Sequence, residues 1–127
     1  QQFIVLTGAN GYTLGSNLPV RLITALKNAK AKGDEILQIG GLNGTRYFWQ
    51  SNTERLYQNF NKSLSKTLNA PGNICLSMAS NDSWIVIRDY DFVASNGVNN
   101  ELRESLDSFY SLHKKRQNRR REEIRIY

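Results

Sequence analysis

Apolar and polar positions alternate along this chain in a pattern that returns three times. Leu22 and Leu26, Leu64 and Leu68, and Leu102 and Leu106 are pairs spaced by four, and successive pairs lie 42 and then 38 residues apart. An apolar residue stands four positions ahead of each pair: Leu18, Phe60 and Val98. That spacing sets apolar side chains on one face of a helix. Helices are therefore predicted from near Pro19, from Asn61, and from Asn99 or Asn100, with Pro in a first turn and Asn as an N-cap. Gly33 is placed to end the first helix, and Pro71-Gly72 the second.

Strands surround each helix. Opening strands are predicted at Phe3-Ile4-Val5, Tyr47-Phe48-Trp49 and Ile85-Val86-Ile87, the last two preceded by the turn formers Asn43-Gly44 and Asn81-Asp82. Short second strands read "GYTLGS", "TERLYQ" and "DFVASN". Closing strands alternate Leu37 with Ile39, Ile74 with Leu76, and Ile124 with Ile126. The pattern predicts one α+β domain of three strand-strand-helix-strand repeats, at residues 1–42, 43–80 and 81–127. One such repeat cannot bury its apolar face alone, so neighbours must stack. The first strand "QFIVL" and the last, "EIRIY", then pair in one of two ways. Within one chain they close the domain with pseudo-threefold symmetry; between chains they build a homo-oligomeric ring.

Units that open with "DSWIVI" or "TRYFW", then run through a hairpin, a Leu-rich helix and an apolar strand, resemble the propeller-type tandem repeats appended to some bacterial and plant signalling proteins. The likeness covers most of the chain by pattern and not by an invariant motif. It implies a binding module and assigns no residue a role.

A second likeness sits in "FIVLTGANGYTLGSNLPVRLI", residues 3–23. Thr7, Gly8, Gly11 and Gly15 resemble the glycine-rich turn of the extended short-chain dehydrogenase and epimerase family, which implies a nucleotide-dependent enzyme. The departures are immediate. Gly15 lies four residues past Gly11, where that family has three. The strand "ILQIGGLNG" ends without the carboxylate that holds a ribose. The repeat alignment gives the same glycines a hairpin turn, and that is the reading preferred.

Composition adds few chemical options. The chain has 127 residues, 39% hydrophobic and 22% charged, which suits one soluble globular domain. No apolar run nears the roughly 18 to 20 residues of a membrane span, so no membrane partner is expected. Beginning at Gln1, the chain reads as a processed form or a piece of something longer. No signal peptide is visible and Cys75 is the only cysteine, which favours a cytoplasmic or nuclear setting. Cys75 lies in the apolar alternation "NICLSMA" and reads as a small buried residue. His113 is the only histidine, so neither a metal site nor a catalytic triad is expected. Asp89 and Asp91 flank Tyr90, where turn chemistry explains them better than acid-base work. No catalytic residue and no cofactor is predicted.

Charge changes the picture most. The net charge is +6, and residues 113–127 hold seven Lys or Arg against two Glu, so that segment carries +5 of it. The third repeat has seven more residues than the first between helix core and closing strand, in "HKKRQNRRR", residues 113–121. This reads as a helix extended by about two turns. Lys114, Lys115, Arg116, Arg119, Arg120 and Arg121 are the candidate polyanion-binding residues, with nucleic-acid backbone as the first partner. Tyr47, Trp49, Trp84 and Tyr90 are candidates for base stacking. Two alternatives stand beside this reading: a scaffold or oligomerisation domain whose basic helix meets an acidic protein, and a small nucleotide-dependent enzyme using the Gly8, Gly11 and Gly15 turn.

Overall fold

The computed structural model describes residues 1–79 and 81–115. Its elements run β1 (Ile4–Thr7), β2 (Gly11–Leu14), α1 (Val20–Lys32), β3 (Ile36–Asn43), β4 (Arg46–Ser51), β5 (Arg55–Gln58), α2 (Lys62–Leu68), β6 (Cys75–Met78), β7 (Trp84–Ile87), β8 (Phe92–Ala94) and α3 (Asn100–Lys115). Among the described residues the architecture is α+β, three helices with three small antiparallel sheets. The sheets are β1-β2, β3-β4-β5 and β6-β7-β8. A strand that follows a helix therefore pairs with the hairpin after it. The closing strand expected at Ile124 and Ile126 lies outside the described residues. The chain divides within α2 into two compact units, one ending at Ser65 and the other beginning at Lys66.

The first unit is organised by α1. Leu22, Ala25, Leu26 and Ala29 follow the i, i+3, i+4, i+7 spacing of one helix face, and all are buried. They pack with Ile36, Tyr47 and Trp49, and Ile4, Tyr12 and Leu14 of the first hairpin close over the same cluster. Pro19 stands at the N-cap, where its carbonyl accepts the amides of Leu22 and Ile23 at 3.1 Å. The helix ends at Gly33, whose φ of 75° lets its amide return to the carbonyls of Ala29 and Lys30. A Cβ at Gly33 meets nothing within 4 Å, so only the backbone conformation resists substitution. Gly33→Ala is expected to lower stability by about 1 kcal/mol, read as the shift of a urea midpoint at constant slope.

The glycines of the opening stretch form a hairpin. β1 pairs antiparallel with β2 in the register Ile4 with Leu14 through Thr7 with Gly11. Gly8 turns at φ 63°, and a side chain at Gly15 would run into the Gln1 carbonyl and the Phe3 ring. α1 begins only at Val20, after the second strand, so the glycine turn has no helix N-terminus behind it to receive a pyrophosphate.

In the second unit, Ile85 and Ile87 of β7 pack with Leu106 and Tyr110 of α3. Phe92 stacks on Tyr110 at 5.8 Å between ring centroids, and Phe109 meets it edge-on at 5.5 Å. Asn99 caps α3, its side-chain oxygen accepting the Glu101 amide at 2.7 Å. Asn61 does the same for α2 through the Leu64 amide at 2.8 Å. Leu102, expected in the core beside Leu106, is instead 42% exposed. The buried stripe runs through Leu106 and Tyr110, with Arg103 half-buried ahead of them, and Leu102 falls on its margin.

Candidate functional site

The candidate interface is built on α3 and the turn between β7 and β8. α3 is helical through Lys115, so the basic run starts inside the helix, and Lys114 and Lys115 occupy its last turn. Arg116, Arg119, Arg120 and Arg121 lie outside the described residues. The helix is bipolar along its length. Glu101, Glu104 and Asp107 are exposed on the earlier turns around the half-buried Arg103, and the run of basic residues begins only after them, at Lys114. This order suits the helix dipole, acid toward the N-terminus and base toward the C-terminus. It also confines any anion-binding surface to the far end.

A cleft of about 430 Å³ lies between α3 and β8, walled by Phe92, Arg103, Asp107, Tyr110 and Ser111. Tyr90 stands at its rim and is 61% exposed. The ring therefore borders the turn of α3 immediately before the basic run. Arg88 grips Asp91 with two guanidinium nitrogens, one at 2.8 Å, and holds the turn that carries Tyr90. Arg103 donates to the Ser95 carbonyl at 2.6 Å, fixing the helix to the strand end. Asp91, so engaged, is a structural carboxylate of a turn.

Tyr110 lines the same cleft and donates its hydroxyl to the Arg88 carbonyl at 3.1 Å. Burial, with the nearby Asp91 and Asp89 charges, pushes its pKa up to about 12. An unfolded tyrosine ionises near 10, so from about pH 10 to 12 the unfolded chain loses this proton first. The contribution is complete below pH 10 and is lost as the pH rises through that window. Tyr110→Phe is expected to cost about 1 kcal/mol at neutral pH through the lost hydrogen bond, and to flatten the alkaline fall of stability. Urea melts at pH 7 and pH 11 check both halves.

Three of the four candidate stacking rings are corrected by the structure. Tyr47 and Trp49 are 0% and 1% exposed in the first unit's core, and Trp84 is 6% exposed on β7. A ring enclosed on this scale offers no face to a base. Alternation along β4 does separate Phe48 from its neighbours, yet Phe48 is buried as well. β4 and β7 are central strands with both faces covered, and an unbroken apolar run is the sequence signal for that. Tyr90 keeps its exposure because it sits in a turn.

Sequence reasoning missed Arg103, Asp107 and the Arg88–Asp91 clamp. An Arg three residues ahead of an Asp across a turn was the available signal for the clamp. Cys75 is half-buried against the second unit's cluster. Among the described residues no group of three or more His, Cys, Asp or Glu side chains is placed to hold a metal, and no helix is long and apolar enough to cross a membrane. No family model, curated protein or solved structure matches this chain.

Proposed function

We propose that this chain is a non-catalytic binding module that holds a polyanion, RNA or DNA backbone, on the basic segment continuing α3. The observation that carries the reading is the helix itself, which runs unbroken from Asn100 into the basic run at Lys115. A helix presents cations at a fixed spacing of 1.5 Å per residue, so several meet one phosphate backbone together. Arginine supplies four of the six basic side chains of residues 113–121, and its planar fork suits phosphate oxygens. Tyr90, exposed at the rim of the cleft that ends at Ser111, is the ring placed to stack an unpaired base.

The repeat architecture belongs to the same proposal. Three strand-strand-helix units, related in a pseudo-threefold or propeller-like way, carry one divergent helix, and the divergence is where the charge lies. What supports it is the order of elements, β1-β2-α1, β4-β5-α2 and β7-β8-α3, with β3 and β6 after the first two helices.

The test is binding of short labelled RNA and DNA across a salt series by the full chain. It is repeated with Lys114, Lys115, Arg116, Arg119, Arg120 and Arg121 all changed to Gln. Binding that is salt-steep and lost in the variant supports the proposal. Absence of binding at low salt removes it, and selective capture of an acidic protein that nucleic acid does not displace favours the protein-partner alternative.

A further inference from the structure

The three sheets are not equivalent. β4 opens a hairpin and pairs on its other edge with β3; β7 opens a hairpin and pairs on its other edge with β6. β1 opens a hairpin too, yet among the described residues nothing pairs with its second edge. The difference shows in exposure. Tyr47, Phe48 and Trp49 of β4 are no more than 1% exposed, and Ile85, Val86 and Ile87 of β7 no more than 6%. Phe3 beside β1, and Val5 and Leu6 within it, are 44%, 50% and 37% exposed.

The geometry of the free edge follows from the register. The Gly15 amide donates to the Phe3 carbonyl at 2.9 Å, which directs the backbone groups of Phe3, Val5 and Thr7 toward β2. Ile4 and Leu6 then turn their amides and carbonyls outward. The stretch "QFIVLT" holds no Lys, Asp, Glu, Arg or Pro, the residues that commonly blunt an edge. An unblunted edge of this kind is a template for strand addition.

We propose that the outer edge of β1 receives residues 122–127 of a second copy of this chain, assembling copies head to tail. The occupant is chosen by the rule the other sheets obey. In both, the strand that completes the sheet is the one following a helix, and it joins the hairpin that comes next. The segment following α3 is Glu122-Glu123-Ile124-Arg125-Ile126-Tyr127, with the apolar alternation of β3 and β6. An added strand brings cross-strand side chains over both faces of β1, where the apolar exposure now lies. The relation is heterologous, so it grows into a ring or a filament according to the rotation between copies. This inference rests on the order of elements and is independent of polyanion binding.

The test uses full-length chains free of nucleic acid, with association read by sedimentation velocity over a concentration series. One variant is Leu6→Pro, which removes an outward amide and no bond to β2; Leu6→Lys replaces it if circular dichroism shows the proline variant unfolded. The other is Ile124→Asp with Ile126→Asp. The native chain is expected to associate with rising concentration, and each variant alone to stay monomeric. An equimolar mixture of the two variants is expected to form a dimer that grows no further, because it holds one intact edge and one intact strand. A native chain that is monomeric throughout, a variant that still associates, or a mixture that fails to dimerise overturns the proposal. Both variants keep all six basic side chains of residues 113–121, so nucleic-acid binding that survives in them separates this outcome from the fate of the functional reading.

Discussion

Raising the salt from 50 to 200 mM is expected to weaken binding of RNA or DNA to this chain by roughly 500-fold. The figure follows from counterion release: some five neutralised phosphates give a slope of about −4.5 in log affinity against log salt, applied over a fourfold change. Changing all six basic residues of 113–121 to Gln should remove nearly all of that dependence. Single changes should each lower the slope by about one, with little effect on sequence preference, because phosphate contacts position a protein without reading bases.

Tyr90→Ala separates the two components of the proposed interface. Loss of one stacked ring is worth about 1 to 3 kcal/mol on single strands and leaves the salt slope unchanged. A duplex, whose bases are already stacked, should be indifferent to it. The charge variants should weaken both substrates alike. Because the basic run follows the end of the buried stripe of α3, those variants are expected to melt like the native chain.

The element order was readable because helix face and turn chemistry are local. Leu22 and Leu26 mark the buried side of α1, and Gly33 and Asn61 stand where a helix stop and start were expected. Pairing between strands was harder to read, since β3 joins β4 across a repeat boundary drawn at residue 42, and β6 joins β7 in the same way. The turn residues Asn43 and Gly44 announce a hairpin there, and Gly44 does take a φ of 61°. Tyr47, Trp49 and Trp84 were misread as stacking candidates for a different reason. Period-two alternation says which side chains share a face and cannot say whether that face is covered. In Tyr47-Phe48-Trp49 both faces are. Leu102 shows the reverse error: its spacing from Leu106 fits a helix stripe, and the rotation of α3 puts it at the edge.

Trp49→Ala is expected to cost about 3 to 5 kcal/mol, enough to unfold a large share of a marginally stable domain. Trp49 is 1% exposed in the cluster formed by Leu22, Ala25, Leu26, Ala29, Ile36 and Tyr47. Removing the ring leaves a cavity that α1 and β4 cannot both collapse into, since each is fixed by its own backbone hydrogen bonds. The loss is one of packing, because the indole Nε1 has no hydrogen-bond partner among the described residues. The Tyr47 hydroxyl is buried in the same condition, and burial raises its pKa. Tyr47→Phe therefore gives a control of opposite sign. It deletes a buried polar group that makes no bond, and is expected to leave stability unchanged or raise it by about 1 kcal/mol. Tyr110→Phe deletes a hydroxyl that does make one and should lower it. Equilibrium unfolding of the three variants by tryptophan fluorescence and circular dichroism decides the matter. If Tyr47→Phe proved as damaging as Tyr110→Phe, the Tyr47 hydroxyl would have a partner, a buried water being the natural candidate, and the first unit's core would be wetter than its apolar lining implies.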